Sequence, residues 1–474
     1  MTNSIGYDKT DPKSIEAYSQ NLIGKTFEEI YENGKMDDET EQVVKEQAAS
    51  YENKKRKGGL GEIVEERFFH YKANSDSRPD FPEAGVELKV TPYRINRNRS
   101  LSAKERLVVT MIDYMSLINE TFYNSHFWIK SHLMLLVYYQ YQQGITDRLK
   151  YRIDYAKLFA PPKEDLPTII HDFEIILDKV KAGKAHEISG ADTTYLEAAP
   201  KSADSSVRRK QPCCSILAKP RAFAFKNSYM TYVLNTYIVP GKVTYESILP
   251  TDGAIQLETY VVDKLREYQG WSVDELCAQF DISVVPHPPK NYGAMIAYRI
   301  LGIKGNKAAE FEKANVIIKT IRIKKNRKIK ESMSFPAFKF KELVEEEWET
   351  STFGNYLRDT RFCFIVYKED ESGKYRLKGC QFWNIPYTDL EEHVKTVWKR
   401  TIKILNEGLK VEIKNGKHFS NLPKSSDDPV CHVRPHGIDS DDTDDLPTGG
   451  SYPKQCFWLN NSYILSQLNK ELYE

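Results

Sequence analysis

Apolar positions recur along this chain with two periods, and the changes between them mark out its elements. Ile23, Phe27, Ile30 and Tyr31 are spaced for a helix over residues 14–32. A second helical stripe, Leu60, Ile63, Val64 and Phe68, runs through LGEIVEERFFHY behind an opening Gly58-Gly59 pair. Val86, Leu88 and Val90 then alternate with Glu87 and Lys89, which predicts a strand with its apolar side chains in a core and both charged ones on the other face. HLMLLVYYQY from His132 is aromatic and aliphatic without helical spacing, as in a buried strand. Residues 102–117 suit either a helix or a strand, 165–184 suggest a helix, and RAFAFKNSYM from Arg221 alternates like a strand.

Candidate chemistry gathers in RPDFPEAGVELKVTP, residues 78–92. Pro79, Pro82 and Gly85 place Asp80 on the turn entering the strand, close enough for its carboxylate and that of Glu87 to share a hard divalent cation. Such a cation binds a scissile phosphate and water, and Lys89 can stabilise developing charge or help to generate hydroxide. The set suits phosphodiester hydrolysis. Glu65 lies on the flank of its helical stripe, where an exposed carboxylate is ordinary, yet the short connection to Asp80 allows it to face the same site.

With 474 residues the chain exceeds one ordinary core and suggests two or three domains. No apolar run reaches a membrane span and the polar start has no secretory h-region, so a cytoplasmic protein with no membrane partner is expected. Seven cysteines without a CxxC pair argue for reduced thiols, with Cys213-Cys214 packed rather than bridged. Cys431, His432, His436 and Cys456 are too irregularly spaced for a zinc site. Most of the 29 tyrosines belong to core or interface rather than to base stacking. Net charge is only +1, but cations cluster at Lys54–Lys57, Arg94–Arg106, Arg208–Lys210 and Lys319–Lys330, in the manner of a surface that follows phosphates.

Beyond a boundary near Pro240-Gly241 or Pro250–Gly253, the features return in the same order at an offset of roughly 225 to 250 positions. GKTFEEI from Gly24 is echoed by GWSVDEL from Gly270, and LGEIVEERFF from Leu60 by YGAMIAYRIL from Tyr292. DFPEAGVELK from Asp80 aligns without a gap with EFEKANVIIK from Glu310, AKER from Ala103 with IKES, and FAFKNSY from Phe223 with FWLNNSY. In the second copy Asp80 becomes Glu310 and Lys89 is kept as Lys319, but Glu87 becomes Ile317 and Glu65 becomes Ala297. The loss of a metal-binding carboxylate predicts a second half that binds without catalysing.

Pro79-Asp80 followed by Glu87-Leu88-Lys89 resembles the core of the PD-(D/E)xK nucleases, and KGGLGEIVEE with DFPEAGVELK resembles their MutH branch. That branch holds the mismatch-repair endonuclease MutH and the Sau-type restriction endonucleases that cut GATC. The Sau-type likeness is the fuller one, running through KERL, GKAHEIS, YMT, ESMSF and CHVRPH. It implies an α/β fold, a mixed sheet flanked by helices, in two MutH-like restriction-endonuclease domains. Residues 1–245 would be catalytic, and residues 246–474 a degenerate domain that binds a second DNA site.

The resemblance further implies Asp80, Glu87 and Lys89 as the catalytic triple, Glu65 as an assisting metal ligand, and Mg2+ as cofactor. Residues 200–210 and 219–229 are expected to contact bases, with Lys201, Lys219, Arg221, Lys226, Lys319 and Arg434 as DNA-binding side chains. In MutH an arginine precedes the proline-lysine pair of the recognition loop and a tyrosine stands at the methyl-sensing position. Here Ala199 precedes Pro200-Lys201 and Ala224 replaces the tyrosine, whereas the second copy has Arg434-Pro435-His436. Symmetric cleavage therefore fits better than strand-selective nicking. The partners implied are double-stranded DNA with two GATC sites, a cognate methyltransferase linked genetically, and a monomer that can pair on DNA. A MutH-like nicking enzyme and a non-catalytic DNA-binding protein are the alternatives.

Overall fold

In the computed structural model the described residues are 6–34, 59–71, 78–96, 99–142, 144–202, 204, 206–241, 243–250, 256–283, 292–305, 307–414, 417–439 and 441–474. The basic cluster Lys54–Lys57 and Gly58 lie outside them. The chain forms two compact units, residues 1–245 with 312–314, and residues 246–311 with 315–474.

In the first unit the helix expected over residues 14–32 is two helices, Pro12–Ser19 and Phe27–Asn33. Gly24 separates them with φ +87°, a backbone state that favours glycine, and its N–H donates to the Ile153 carbonyl. Thr26 then caps the second helix in a reciprocal capping box with Glu29. The next helix, Gly59–Ile63, passes into one π-helical turn, Val64–Phe68, and buries Leu60, Ile63, Val64 and Phe68 as their spacing requires.

β1 (Glu87–Ile95) follows a tight turn. Residues 102–117, ambiguous in the sequence, form β2 (Leu101–Ala103), β3 (Leu107–Met111) and a short helix, Tyr114–Leu117. A further helix, His126–Ser131, precedes β4 (Met134–Gln140), every residue of which is buried except Gln140. With β5 (Ile153–Phe159) these make a mixed sheet of order β2-β1-β4-β5, in which β1 and β4 are parallel and the other pairs antiparallel. Val86, Leu88, Leu135, Val137 and Ile153 pack against the 60–68 helical stripe.

The helix Leu166–Lys181 comes next, followed by β6 (Leu196–Pro200), β7 (Arg209–Gln211), β8 (Cys214–Ala218) and β9 (Arg221–Phe225). Buried Asp172 on this helix accepts the N–H groups of Thr194, Tyr195 and Leu196, fastening the helix to the start of β6. β3, β9 and β6 form a second, antiparallel sheet, and β7–β8 is a separate hairpin. Cys213, in the bend between β7 and β8 at φ +58°, is exposed rather than packed. All seven cysteines are free.

The second unit repeats this plan. β10 (Val316–Ile323), β12 (Arg361–Glu369) and β13 (Tyr375–Trp383) form one sheet, and β11 (Met333–Ser334), β19 (Gln455–Leu459) and β16 (Cys431–Pro435) another. Two small hairpins stand apart from these sheets, β14–β15 (Val411–Lys414 with Lys417–Ser420) and β17–β18 (Thr443–Asp445 with Ser451–Pro453).

The repetition extends to individual residues. Glu87 faces Met134 as Ile317 faces Phe362, and both central strands break register at one level, Tyr138/Tyr139 and Val366/Tyr367. Leu196 faces Phe225 as Cys431 faces Leu459. Gly270 at φ +88° and the Ser272–Glu275 capping box reproduce Gly24, Thr26 and Glu29. Register is set by which side chains must enter a core, so shared register along three strand pairs is what an internal duplication leaves behind. Among the described residues no helix is long and apolar enough to cross a membrane.

Candidate active site

The turn before β1 brings the first carboxylate to the strand. Phe81 and Val86 exchange backbone hydrogen bonds of 2.9 and 3.2 Å, closing a four-residue loop that ends in Gly85 at φ +66°. Asp80, just outside the loop, is thereby folded back so that its Oδ2 accepts the Leu88 N–H at 2.8 Å. Two carboxylates separated by seven positions in the chain thus meet at one strand end.

Glu87 and Lys89 share a face of β1, and Lys89 Nζ donates to Glu87 Oε1 at 2.7 Å. A second ammonium reaches the same oxygen: Lys130 Nζ lies 3.4 Å from Glu87 Oε1. Sequence reasoning missed Lys130. A signal was present, since a strand parallel to β1 must start at the same end as β1, and the residues just before β4 therefore arrive beside Glu87.

Electrostatics bind the rest of the group together. Burial first, and then the charge of Glu87, raise the Asp80 pKa to about 6, with Lys89, the Leu88 N–H and Lys130 opposing. Glu65, on the π-helical turn, is raised to about 7 by burial and then by Asp80. Its exposure on the helix flank, the ordinary reading of its position, is corrected: the turn presents it to Asp80, Lys89 and Glu87. Tyr71, also unforeseen, is half-buried with its hydroxyl enclosed beside the three carboxylates, and burial followed by the charge of Asp80 pushes its phenol far up.

The donors are all oxygen, and Glu87 Oε2 is buried without a hydrogen-bond partner among the described residues. Three crowded carboxylates, of which Asp80 and Glu65 have raised pKa values, and one unpartnered oxygen fit a hard divalent cation, which would relieve their repulsion. Asp80 and Glu87 would hold it, with Glu65 alongside. Among the described residues no group of three His, Cys, Asp or Glu side chains forms a ready metal cage, so the expected three-carboxylate set is not closed on its own. A small cation that keeps several waters and takes phosphate oxygens needs only one or two protein carboxylates.

In the second unit the equivalent positions have lost this character. Ile317 replaces Glu87 in register, and Ala297 is buried. Glu310 is turned to the backbone, accepting the N–H of Ile248 at 2.9 Å and the hydroxyl of Ser247 at 2.7 Å. Lys319 keeps the place of Lys89 but is half-buried, 3.5 Å from the Ser334 carbonyl and over the Phe335 ring, and burial lowers its pKa.

Of the side chains expected on DNA, Lys201 is exposed, Lys219 half-buried, and Arg434 exposed with its guanidinium 5.0 Å over the Trp458 ring. Arg221 and Lys226 require correction. Arg221 is 7% exposed and donates to the carbonyls of Ala198 and Ile188, while Lys226 is 5% exposed and donates to those of Gly190 and Thr193. Their donors serve buried backbone and cannot at the same time meet a phosphate.

Against this geometry the comparisons are specific. The family model described as DNA mismatch repair enzyme MutH matches twice, at residues 69–172 and 301–395, one match in each repeat. The chain is 38% identical over 460 residues to the Type II restriction enzyme Sau3AI of Staphylococcus aureus, covering 88% of this chain and 93% of that protein. MutH proteins match a shorter stretch. That of Shewanella baltica (strain OS185) is 26% identical over 187 residues, and that of Shewanella amazonensis 28% over 192, each covering 38% of this chain and 80% of the relative. A duplicated fold, twice matched by one model and shared with a restriction enzyme almost end to end, places the chain in the MutH/Sau3AI family of endonucleases.

Proposed function

We propose that this type II restriction endonuclease uses Mg2+ to hydrolyse both strands of duplex DNA at GATC, with the first unit as the catalytic domain. The observation that carries the reading is the meeting of Asp80, Glu87 and Lys89 at one end of β1, beside Glu65, in a chain 38% identical to Sau3AI. When bound, the ion would act as a Lewis acid on the scissile phosphate and lower the pKa of a bound water. Lys89 Nζ, held by Glu87 at 2.7 Å, would offer positive charge where the phosphate gains negative charge. Lys130 restrains the same Glu87 oxygen and lowers the Asp80 pKa, which keeps that carboxylate ionised at lower pH.

The second unit, lacking the carboxylate pair, would bind a second GATC site and support cleavage by the first. The chain would act as a monomer able to pair on DNA, and a methyltransferase of the same specificity would be its genetic companion.

Plasmids with and without GATC, incubated with Mg2+ and then with excess chelator, test this reading. Linear product only from the GATC plasmid, and none with chelator, is expected. Equal cutting of both plasmids would remove the sequence assignment, chelator-resistant cutting the metal, and nicked circles as the end product would favour a MutH-like enzyme.

A further inference from the structure

Two tyrosines press on the ring of Phe81, the residue that follows Asp80 into the turn before β1. Tyr7 meets it edge-on with 6.2 Å between ring centroids, and Tyr71 does so at 5.3 Å. Their hydroxyls differ. That of Tyr7 donates to the Phe69 carbonyl at 3.0 Å, whereas that of Tyr71 is enclosed and, among the described residues, has no hydrogen-bond partner.

Tyr71 is tied to both elements that deliver carboxylates to the site. The π-helical turn carrying Glu65 ends on it: Phe69 N–H closes on the Val64 carbonyl at 3.0 Å, and Tyr71 N–H on the Glu65 carbonyl at 3.1 Å. His70 between them stands at φ +59°, a left-handed state in which a helix end usually places glycine. A non-glycine residue is kept there at a cost in free energy, and only where its surroundings fix it. The Tyr71 ring then packs on Phe81, next to Asp80, and the hydroxyl falls within electrostatic reach of Asp80, Glu65 and Glu87.

A tyrosine present only to fill this place would be better replaced by phenylalanine, since enclosing a hydroxyl without a partner is destabilising. Burial and then the charge of Asp80 push the phenol far up, so the group is a neutral hydroxyl, able to donate and accept but not to act as a base. A small hard cation held by one or two carboxylates keeps several of its waters, and such a water suits a hydroxyl of this kind. Groups that bond to a metal's ligands rather than to the metal change its affinity by about 10- to 100-fold.

We propose that Tyr71 is a positioning residue of the metal site, its hydroxyl hydrogen-bonding to a water carried by the divalent cation that Asp80 and Glu87 hold, and so raising the affinity for that ion. The assignment rests on the metal-dependent endonuclease reading above and deepens it.

Thermal unfolding of the full chain, in chelator and then over a series of MgCl2 concentrations at fixed pH, tests it on wild type, Tyr71→Phe and Tyr7→Phe. Tyr71→Phe removes one oxygen and keeps the ring. Its Tm in chelator should be no lower than that of wild type, because an unpartnered hydroxyl has gone. Its rise in Tm with Mg2+ should begin at a concentration at least about tenfold higher. The Mg2+ dependence of cleavage should move by the same factor, with turnover at saturating Mg2+ within about threefold of wild type. Tyr7→Phe, which loses a hydrogen bond already made, should lower the Tm in chelator and leave the Mg2+ dependence in place.

An unmoved Mg2+ dependence in Tyr71→Phe overturns the proposal. So does a Tm in chelator lowered as far as in Tyr7→Phe, or a Tyr71→Phe chain that fails to fold, since either result means that the fold itself needs the hydroxyl. A wild-type Tm indifferent to Mg2+ would instead defeat the metal-dependent reading.

Discussion

Glu87 takes two ammoniums on one oxygen and, among the described residues, leaves the other without a partner. A carboxylate whose second oxygen is desolvated and unpaired costs the fold free energy unless a cation takes it up. Its neighbours pay in protons, since Asp80 and Glu65 are raised from 3.8 and 4.5 to about 6 and about 7. The folded chain therefore retains protons that the unfolded chain has released, and without metal its stability should fall as pH rises from about 4 to about 7. A divalent cation that binds the ionised set should restore it. Thermal unfolding should show a larger gain in Tm from Mg2+ at about pH 8 than at about pH 5, and Glu65→Gln should flatten the metal-free slope. A gain independent of pH would argue against a metal at these carboxylates.

Lys130 offers a second test at this scale. Its charge lowers the Asp80 pKa, so Lys130→Ala should move the acid limb of the pH–rate profile to higher pH, and an unmoved limb would detach it from the site. The residue scale is also where the sequence misled. Arg221 and Lys226 look like surface cations in an alternating segment, but all of β9 is buried and that segment has no solvent face.

At the scale of elements, the entry to β1 matters most, because a four-residue loop brings Asp80 to the N–H of Leu88. Gly85 makes the loop possible at φ +66°, and a Cβ there would come within 3.2 Å of His132 Nε2. Gly85→Ala should cost about 1–2 kcal/mol of stability and lower the cleavage rate by a larger factor than DNA affinity, as read from thermal unfolding, turnover and binding. Equal losses in turnover and affinity would mean that the loop does not position Asp80.

Several elements were legible because their signals are local. The 60–68 stripe, the alternation over 86–90, the buried run from His132 and the proline and glycine turn all lie within a few residues. The break at Gly24 and the strands of residues 101–111 were harder to read. The first depends on a hydrogen bond to Ile153 and the second on pairing with β1 and β9, partners remote in the chain.

For the whole molecule, shared register shows two copies of one plan, and the copies differ where the chemistry lies. Five short sequence echoes were enough to reveal the duplication, whereas the equivalence of β6/β9 with β16/β19 becomes visible only once those strands are paired. If the second unit engages a second site, a plasmid with two GATC sites should be cut severalfold faster than one with a single site. A GATC oligonucleotide added in trans should rescue the slower plasmid, and equal rates would leave the second unit without that role.

The most direct measurement compares wild type with Glu87→Gln on a GATC duplex, reading cleavage in Mg2+ and binding in Ca2+ on the same preparations. Removing the charge while keeping the shape should cut turnover at least a thousandfold, the scale expected when a group that supports transition-state charge is lost, and leave affinity within a fewfold of wild type. Wild-type turnover in Glu87→Gln would contradict the assignment of the catalytic centre to this end of β1.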